Sequence, residues 1–321
     1  MKIIFMGTAE LACPSLKALC RAESFEMLAV VTQPDKPKGR DLKVQFTPVK
    51  TVALAEGLPV LQPERARNEA FIGQLRALQP DLIVVAAYGQ ILPQAILDLP
   101  RFGCVNVHAS LLPKYRGAAP IPWAILNGDP ETGVTLMKMD AGLDTGAILC
   151  QATTPIAPTD DAQTLHDRLA ALGAELLVKT LPDFVSDRIT PRPQPVEGAS
   201  YARKITKEDG QLDWSQPARV LWCRVRGFTP WPGAFTHYSF RDQARLLKIW
   251  SAAVEPEGSG QPGTIVGADR DGILVACGQQ ALRVLQLQRA GGRRLGAREF
   301  LAGNDLPVGS TLIRTAGPPD H

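Results

Sequence analysis

Short apolar runs and amphipathic stretches alternate along the first half of the chain. The runs typical of buried strands are residues 2–6, 27–31, 81–87 and 104–108. Helical periodicity covers residues 47–56 and 64–78, and a turn at Gly7 indicates a further helix that begins near Ala9. The pattern predicts a Rossmann-like α/β domain with an open parallel sheet, whose ligands bind where its strands end.

The middle of the chain is less regular. Pro120 and Pro122 argue against a helix before Pro122, and residues 123–127 predict a short helix after it. Residues 132–139 are rich in strand formers. Leucines recur every three or four positions within residues 159–179, which predicts an amphipathic helix.

The C-terminal part of the chain has a different pattern. Alternating prolines in residues 190–200 predict an extended linker. Short strands separated by glycine turns follow at residues 245–250, 263–267, 272–276 and 281–288. They predict a small β-barrel, for which an OB-like topology is one candidate. We therefore expect an α/β domain over 1–189, a proline-rich linker over 190–206 and an OB-like barrel domain over 207–321.

Composition places the chain among ordinary globular proteins. Of its 321 residues, 45% are hydrophobic and 21% are charged, and no apolar run approaches the roughly 18 residues of a membrane span. Glu10 follows the first apolar run, which favours a strand and turn over a signal peptide. Six cysteines without a C-x-x-C pair indicate neither a zinc site nor a disulfide framework, and they favour a reducing cytoplasm.

Positive charge is concentrated in two places. The net charge is only +3, but residues 190–321 carry 17 Lys and Arg against 12 Asp and Glu. The loop over residues 33–43 is also basic, and it is long for a connection inside an α/β unit. Both features suit contacts with a polyanion, and a solvated basic surface explains them about as well.

Two polar side chains interrupt the apolar run at residues 104–108. Asn106 and His108 are two positions apart, so on a strand they project from the same face. An amide and an imidazole are costly to bury without partners, so the pair is either a satisfied strand end or part of a site. The segments 110–113 and 88–93 leave neighbouring strands and are expected at the same sheet edge.

A turn rich in Asp and Gly follows the strand at 132–139 and can aim the carboxylate of Asp144, although its residues are also ordinary turn formers. Asn106 could donate to a developing oxyanion, and His108 could do the same or carry a proton. Such a set suits acyl transfer without a covalent intermediate.

Other chemistries are less well supported by the residues. Ser110 is only two residues from His108 and no G-x-S-x-G elbow is present, which disfavours a Ser-His-Asp hydrolase. A metal site would need a second His or Cys at ligand spacing. A nicotinamide cofactor is disfavoured because Gly7 stands without the other glycines of the dinucleotide motif.

Three motifs resemble the folate-dependent formyltransferases. They are NVHASLLP at 106–113, YRGAAPI at 115–121 and DAGLDTG at 140–146. The opening IFMGT, the QPDKP loop at 33–37 and the C-terminal β domain are similar to the members of that family that act on a tRNA. The resemblance covers nearly the whole chain.

The resemblance implies an enzyme of one-carbon metabolism that serves translation initiation. Its reaction would transfer a formyl group from the co-substrate 10-formyltetrahydrofolate to the α-amino group of methionine on initiator methionyl-tRNA, with no metal. The catalytic residues that it implies are Asn106, His108 and Asp144.

Two binding sets accompany the catalytic residues. The folate-binding set that the resemblance implies is Ser110, Leu111, Leu112 and Pro113, to which the expected sheet edge adds Tyr88 and Gly89. The tRNA-binding set is Arg40, Lys43, Lys204 and Lys207.

Two other functions stay open. A formyltransferase acting on a sugar amine or another small amine would share the motifs, and the basic loop and C-terminal domain favour tRNA instead. A non-catalytic RNA-binding module is the alternative from another class, and the intact Asn106, His108 and Asp144 argue against it. We expect a cytoplasmic monomer that binds no membrane.

Overall fold

The fold is that of a computed structural model, which describes residues 1–38, 43–240, 243–304 and 306–313. The chain divides into two compact units. Unit 1 comprises Met1–Pro120, Glu131–Pro155 and His166–Ala202. Unit 2 comprises Ile121–Pro130, Ile156–Leu165 and Arg203–His321.

Unit 1 alternates strands and helices as the sequence predicts. Its strands are β1 (Lys2–Gly7), β2 (Glu26–Val31), β3 (Lys36–Lys38), β4 (Lys43–Gln45), β5 (Val60–Leu61), β6 (Leu82–Ala86), β7 (Cys104–His108), β8 (Arg116–Gly117), β9 (Glu131–Lys138), β10 (Ile148–Pro155) and β11 (Tyr201–Ala202). Its helices are α1 (Cys13–Arg21), α2 (Pro48–Ala55), α3 (Glu69–Leu78) and α4 (Gln94–Leu97), with a 3-10 turn at Glu10–Ala12. The residues of α5 (Pro120–Leu126) and α6 (Ala162–Val185) are divided between the two units.

A seven-stranded sheet with the order β10-β9-β7-β6-β1-β2-β5 forms the centre of unit 1. The neighbouring strands β5, β2, β1, β6 and β7 are parallel, whereas β9 runs antiparallel to β7 and β10 runs antiparallel to β9. Successive residues of β1 enter different clusters: Ile3 and Phe5 pack in one, Ile4 and Met6 in the other. Both faces are therefore covered, as the continuous apolar runs predict, and the predicted fold class is confirmed.

The structure corrects the expected start of α5. The expectation that no helix forms before Pro122 is wrong, because α5 begins at Pro120 and includes both prolines in its first turn. The N–H groups of a first turn have no partner inside the helix, so proline removes no hydrogen bond there.

Two other helices have bounds that differ from the prediction. Helix α3 begins at Glu69 rather than residue 64, because the side chain of Asn68 accepts the N–H groups of Ala70 and Phe71 and caps the helix there. Helix α6 continues beyond residue 179 to Val185.

Unit 2 contains a curled antiparallel sheet. Its strands are β12 (Ala234–Phe240), β13 (Gln243–Glu255), β14 (Ile265–Asp269), β15 (Gly272–Ala276), β16 (Ala281–Arg289), β17 (Leu295–Gly296) and β18 (Leu312–Ile313). Its helices are α7 (Ala218–Gly227) and α8 (Ala297–Leu301), with a 3-10 turn at Glu208–Gly210. The order is β14-β15-β16-β13-β12-β18, and Thr264 pairs with Thr311 so that the first and last strands meet. The small barrel that the sequence predicts is confirmed.

The barrel encloses a core of its own. Leu221 of α7, Ile249 of β13 and Phe300 of α8 are buried in one cluster. Within the described residues of the whole chain, no helix is both long and apolar enough to cross a membrane.

Candidate active site

Asn106 and His108 lie on β7, near the middle of the sheet of unit 1. Because they are two residues apart, they share a face of the strand, as predicted. Asn106 is 8% exposed and His108 is 6% exposed. Buried polar groups need hydrogen-bond partners; Asn106 finds its partner 38 residues further along the chain, and His108 finds its partner 7 residues further along.

The carboxylate of Asp144 meets both side chains. Its Oδ1 lies 3.5 Å from Nδ2 of Asn106, and its Oδ2 lies 3.7 Å from Nδ1 of His108. Asp144 belongs to the turn between β9 and β10. Lys138, where that turn starts, pairs with Val105, so the carboxylate reaches its partners alongside β7 rather than from beyond the carboxyl end of the strand. The structure brings the three predicted catalytic residues together.

A backbone carbonyl orients the imidazole of His108. Nε2 of the ring lies 2.9 Å from the carbonyl oxygen of Tyr115. A carbonyl can only accept, so Nε2 carries a proton and is the donor in this contact, which leaves Nδ1 facing Asp144. Tyr115 has φ +62°, a left-handed conformation that is uncommon outside glycine. Because a backbone carbonyl is the same at every position, this contact has no signal in the residue pattern.

The Asp144 turn is fixed from several sides. The Oδ2 atom of Asp144 accepts the N–H of Gly117 at 2.8 Å, and its backbone has φ +52°. Gly146 is packed so closely that a Cβ there would lie 1.8 Å from the carbonyl oxygen of Lys138. The amide of Gln194 donates to the carbonyl oxygens of Asp144 and Gly146, each at 2.8 Å. These hydrogen bonds and the close packing at Gly146 together hold the turn in a single conformation.

The predicted folate-binding segment Ser110–Pro113 is held by polar side chains, of which Thr135 and Ser110 are buried and Gln151 is exposed. Oγ1 of Thr135 donates to the Ser110 carbonyl at 2.6 Å and accepts the Leu112 N–H at 3.0 Å. Nε2 of Gln151 donates to the Leu112 carbonyl at 2.9 Å. The Ser110 hydroxyl is fully buried and donates to the carbonyl of Lys114 at 2.7 Å. Leu111 and Pro113 are half-buried, so this segment can offer apolar surface while Ser110 holds its shape.

Tyr88 and Gly89 follow β6 at the carboxyl edge of the sheet. The Tyr88 carbonyl accepts from Thr8 Oγ1 at 2.8 Å and from Gln33 Nε2 at 3.0 Å, which joins the loops after β1, β2 and β6. The Tyr88 phenol is buried with no hydrogen-bond partner among the described residues, and burial raises its pKa to about 12. Gly89 has φ +81°, which suits glycine.

The predicted tRNA-binding residues are placed less completely. Arg40 lies outside the described residues. Lys43 begins β4, and its side chain is likewise outside what the structure describes. Lys204 and Lys207 are exposed in unit 2, beside the 3-10 turn at Glu208–Gly210.

A polar network holds the base of the β3–β4 hairpin. Nζ of Lys50, on α2, bonds the carboxylate of Asp35 and lies 2.7 Å from Oε1 of Gln62. Nε2 of Gln62 donates to Oδ1 of Asp35 at 2.9 Å and to the carbonyl of Gln33 at 3.0 Å. Burial raises the pKa of Asp35, and the bonds from Lys50 and Gln62 outweigh that effect and lower it below its ordinary value. The start of the basic loop is therefore tied to α2 through Lys50 and to Gln62.

Comparison with known proteins identifies the class of this protein. The formyl transferase family model matches residues 1–181, and the model of the formyl transferase C-terminal domain matches residues 204–305. The chain belongs to the formyl transferase family, and the resemblance seen in its motifs is confirmed.

Individual relatives narrow the class. The chain is 52% identical over 314 residues to methionyl-tRNA formyltransferase from Caldanaerobacter subterraneus subsp. tengcongensis, which covers 97% of this chain and 100% of that protein. The solved methionyl-tRNA formyltransferase from Clostridium thermocellum superposes with a TM-score of 0.54 at 18% identity, over 79% of this chain and 94% of that one. The N-formyltransferase from Helicobacter canadensis, solved with folinic acid and dTDP-3-aminofucose, gives 0.64 at 18% identity, over 88% and 98%.

Proposed function

We propose that this protein transfers the formyl group of 10-formyltetrahydrofolate to the α-amino group of methionine carried by initiator tRNA. The observation that carries the proposal is the convergence of Asn106, His108 and Asp144 within unit 1. The tRNA substrate comes from the name of the relative that is 52% identical over nearly the whole chain. Because protein synthesis starts in the cytoplasm, the reaction belongs there.

The residues around the site suit a folate. Two large apolar side chains are uncovered in loops of unit 1: Ile91, after β6, is 85% exposed, and Leu143, next to Asp144, is 56% exposed. Apolar walls with a few fixed polar groups are typical of sites for flat ring systems. We assign Ser110, Leu111, Leu112 and Pro113, with Tyr88 and Gly89, to the folate site.

The chemistry assigned to this chain is acyl transfer. When bound, the folate supplies an activated formyl carbon. A bond forms between that carbon and the methionine nitrogen, the bond to the folate nitrogen breaks, and one proton leaves the amine as one reaches the folate nitrogen.

Asn106, His108 and Asp144 have distinct roles in this proposal. Nδ2 of Asn106 donates to the formyl oxygen as negative charge develops on it, which is where a fixed donor lowers the barrier most. Nδ1 of His108 faces the carboxylate of Asp144 and is the ring atom that can receive a proton, since Nε2 is committed to Tyr115. If Nδ1 receives a proton, its N–H is the second donor to the formyl oxygen, beside the carboxylate of Asp144.

The tRNA is assigned to the basic loop and to the C-terminal domain. We propose that residues 1–189 form the catalytic domain and that residues 207–321 form the tRNA-binding domain. Residues 190–206 would be the linker that connects the two. Arg40 and Lys43 would meet the acceptor end, and Lys204 and Lys207 would contact phosphates. For the small-amine alternative, the solved N-formyltransferase with dTDP-3-aminofucose gives a likeness of fold alone, at 18% identity.

The decisive assay is formyl transfer from 10-formyltetrahydrofolate to charged initiator methionyl-tRNA. The parent should formylate rapidly, and Arg40→Ala should be impaired while the exposed Arg67→Ala is not. Phosphate-dominated binding weakens steeply with salt, and removing Lys204 and Lys207 together should reduce the slope of log K against log salt by about 2. No transfer to the charged tRNA, together with transfer to an amino sugar, would overturn the proposal.

A further inference from the structure

Gln194 uses both ends of its side-chain amide within unit 1. Nε2 donates to the carbonyl oxygens of Asp144 and Gly146, each at 2.8 Å. Oε1 accepts from Nε and Nη2 of Arg116 at 3.1 and 2.7 Å. The residue stands between two prolines, two positions after Arg192, which forms a β-bridge with Ile148, and it is half-buried. A surface linker residue has no need of four such bonds.

The two groups that Gln194 joins are the two that place the Asp144 carboxylate. One is the turn itself, where Asp144 holds a left-handed backbone conformation at φ +52°. The other is the Arg116–Gly117 strand, whose Gly117 N–H bonds Oδ2 of Asp144 at 2.8 Å. A strained backbone conformation persists only where its surroundings determine it. The two hydrogen bonds from Gln194 to the carbonyls of Asp144 and Gly146 hold that conformation from outside the turn.

We infer that Gln194 is a positioning residue, which fixes the carboxylate of Asp144 relative to Asn106 and His108. This inference rests on the proposed function, because it matters only if Asp144 takes part in formyl transfer. Gln194 bonds the backbone of the Asp144 turn and Arg116, its Nε2 lies 3.9 Å from Sδ of Met137, and its hydrogen bonds do not include the side chains of Asn106 or His108. Its effect on the reaction therefore passes through Asp144.

Two substitutions separate the parts of this contact. Gln194→Met keeps the length of the side chain and removes every hydrogen bond. Gln194→Glu keeps an acceptor for Arg116 but places an oxygen opposite the carbonyls of Asp144 and Gly146. A displacement of about 1 Å in a catalytic group costs on the order of 10²-fold. We therefore expect both variants to lose about 10- to 100-fold in kcat, with KM for either substrate changed less than about threefold.

The test is a double-mutant cycle with Asp144→Asn. If Gln194 acts through Asp144, then Gln194→Met should lower kcat of the parent strongly and lower kcat of Asp144→Asn by less than about twofold, because residues that act as a unit are not additive. Equal fold losses in both backgrounds would overturn the inference, as would full activity of Gln194→Met. Gln94→Met is the matched control: the Gln94 side chain is exposed on α4 and, among the described residues, bonds Asp98 alone, at 2.8 Å, so kcat of this variant should stay at the parent value.

The four proteins of the cycle are the parent, Gln194→Met, Asp144→Asn and the double variant. Together they distinguish a failure of this inference from a failure of the proposed function. Full activity of Asp144→Asn would overturn the catalytic role of Asp144 itself. Loss of activity in Asp144→Asn with no loss in Gln194→Met would leave that role standing and overturn only the role of Gln194. Thermal melts of all four report folding, and a structural effect alone would lower Tm without the non-additive pattern in kcat.

Discussion

The Nε2 atom of His108 donates to the carbonyl oxygen of Tyr115 across 2.9 Å. That single bond decides which ring nitrogen is available for chemistry, because the other nitrogen, Nδ1, is left facing Asp144 at 3.7 Å. The distance is longer than a normal N–H···O hydrogen bond of about 2.7–3.2 Å. The imidazole is therefore oriented by the backbone carbonyl, and the carboxylate of Asp144 lies close enough to attract the ring when the ring carries a positive charge.

Replacing the Asn106 amide should slow the reaction without unfolding the protein. Loss of one oxyanion donor typically costs about 10²–10³ in turnover, so Asn106→Ala should lose that much kcat. Single-turnover formylation at saturating folate measures it. In the control Asn68→Ala, the loss of the α3 cap should cost about 1 kcal/mol of unfolding free energy and leave kcat unchanged. Near-normal turnover of Asn106→Ala would contradict the assignment.

The two aspartates of one turn should behave differently. Asp144→Asn removes the charge that faces His108, and a lost acid–base partner typically costs about 10²–10⁴ in rate. Asp140 is exposed, and within the part of the chain that the structure describes it accepts the N–H of Gly142 and the hydroxyl of Thr145, which an asparagine oxygen can also do. Asp140→Asn should therefore retain kcat. Equal losses in both variants would mean that the whole turn, and not the carboxylate of Asp144, is what the reaction needs.

Gly146 should not tolerate a side chain. A Cβ there would lie 1.8 Å from the carbonyl oxygen of Lys138, so the backbone would have to move. Gly146→Ala should cost about 2–3 kcal/mol of unfolding free energy, measured by urea denaturation. Gly73, exposed on α3 with no heavy atom near its Cβ position, is the opposite case, and Gly73→Ala should stabilise by about 0.5–1 kcal/mol.

The ion pair of Arg203 and Asp209 should make stability depend on acid pH. Hydrogen bonds from Arg203 hold the pKa of Asp209 down to about 2, from an ordinary value of 3.8. A lowered folded-state pKa stabilises above the unfolded value, so this contribution is present above pH 3.8 and is lost as the pH falls through about 2.

The size of that effect is limited by exposure. Because Arg203 is 57% exposed, solvent screening reduces the contribution of the pair to about 1 kcal/mol. Between about pH 5 and pH 2, the unfolding free energy measured by urea denaturation should fall by about 1 kcal/mol more in the parent than in Asp209→Asn. The difference isolates the pair because the other carboxyl groups titrate alike in both proteins. Identical slopes would show that the pair contributes nothing.

Features of the sequence with short-range causes were predictable. The apolar runs that became β1, β2, β6 and β7 are buried on both faces, so composition alone marks them. The shared face of Asn106 and His108 follows from strand geometry. The early start of α5 was not predicted, because a proline tolerated in a first turn looks the same in sequence as one that ends a helix.

Features that depend on distant contacts were not predictable. Gln194 bonds a carbonyl 50 residues earlier in the chain, and a glutamine among prolines gives no local signal of it. The Tyr115 contact is made by a backbone carbonyl, so the type of residue at position 115 does not indicate it. The domain boundaries and the roles of the site residues stay predictions that the experiments above test.

The short pairing of β8 with β11 has a consequence for biosynthesis. Tyr201 and Ala202 pair with Arg116 and Gly117, and the Ser200 hydroxyl accepts the N–H of Tyr115, whose carbonyl holds His108. Chains are made from the N-terminus and domains fold as units while they emerge. A ribosome that has released β7 and the Asp144 turn has therefore still not produced a finished site. We therefore expect the site to be complete only when the chain has grown through Ala202, so that nascent chains stalled before that point are inactive.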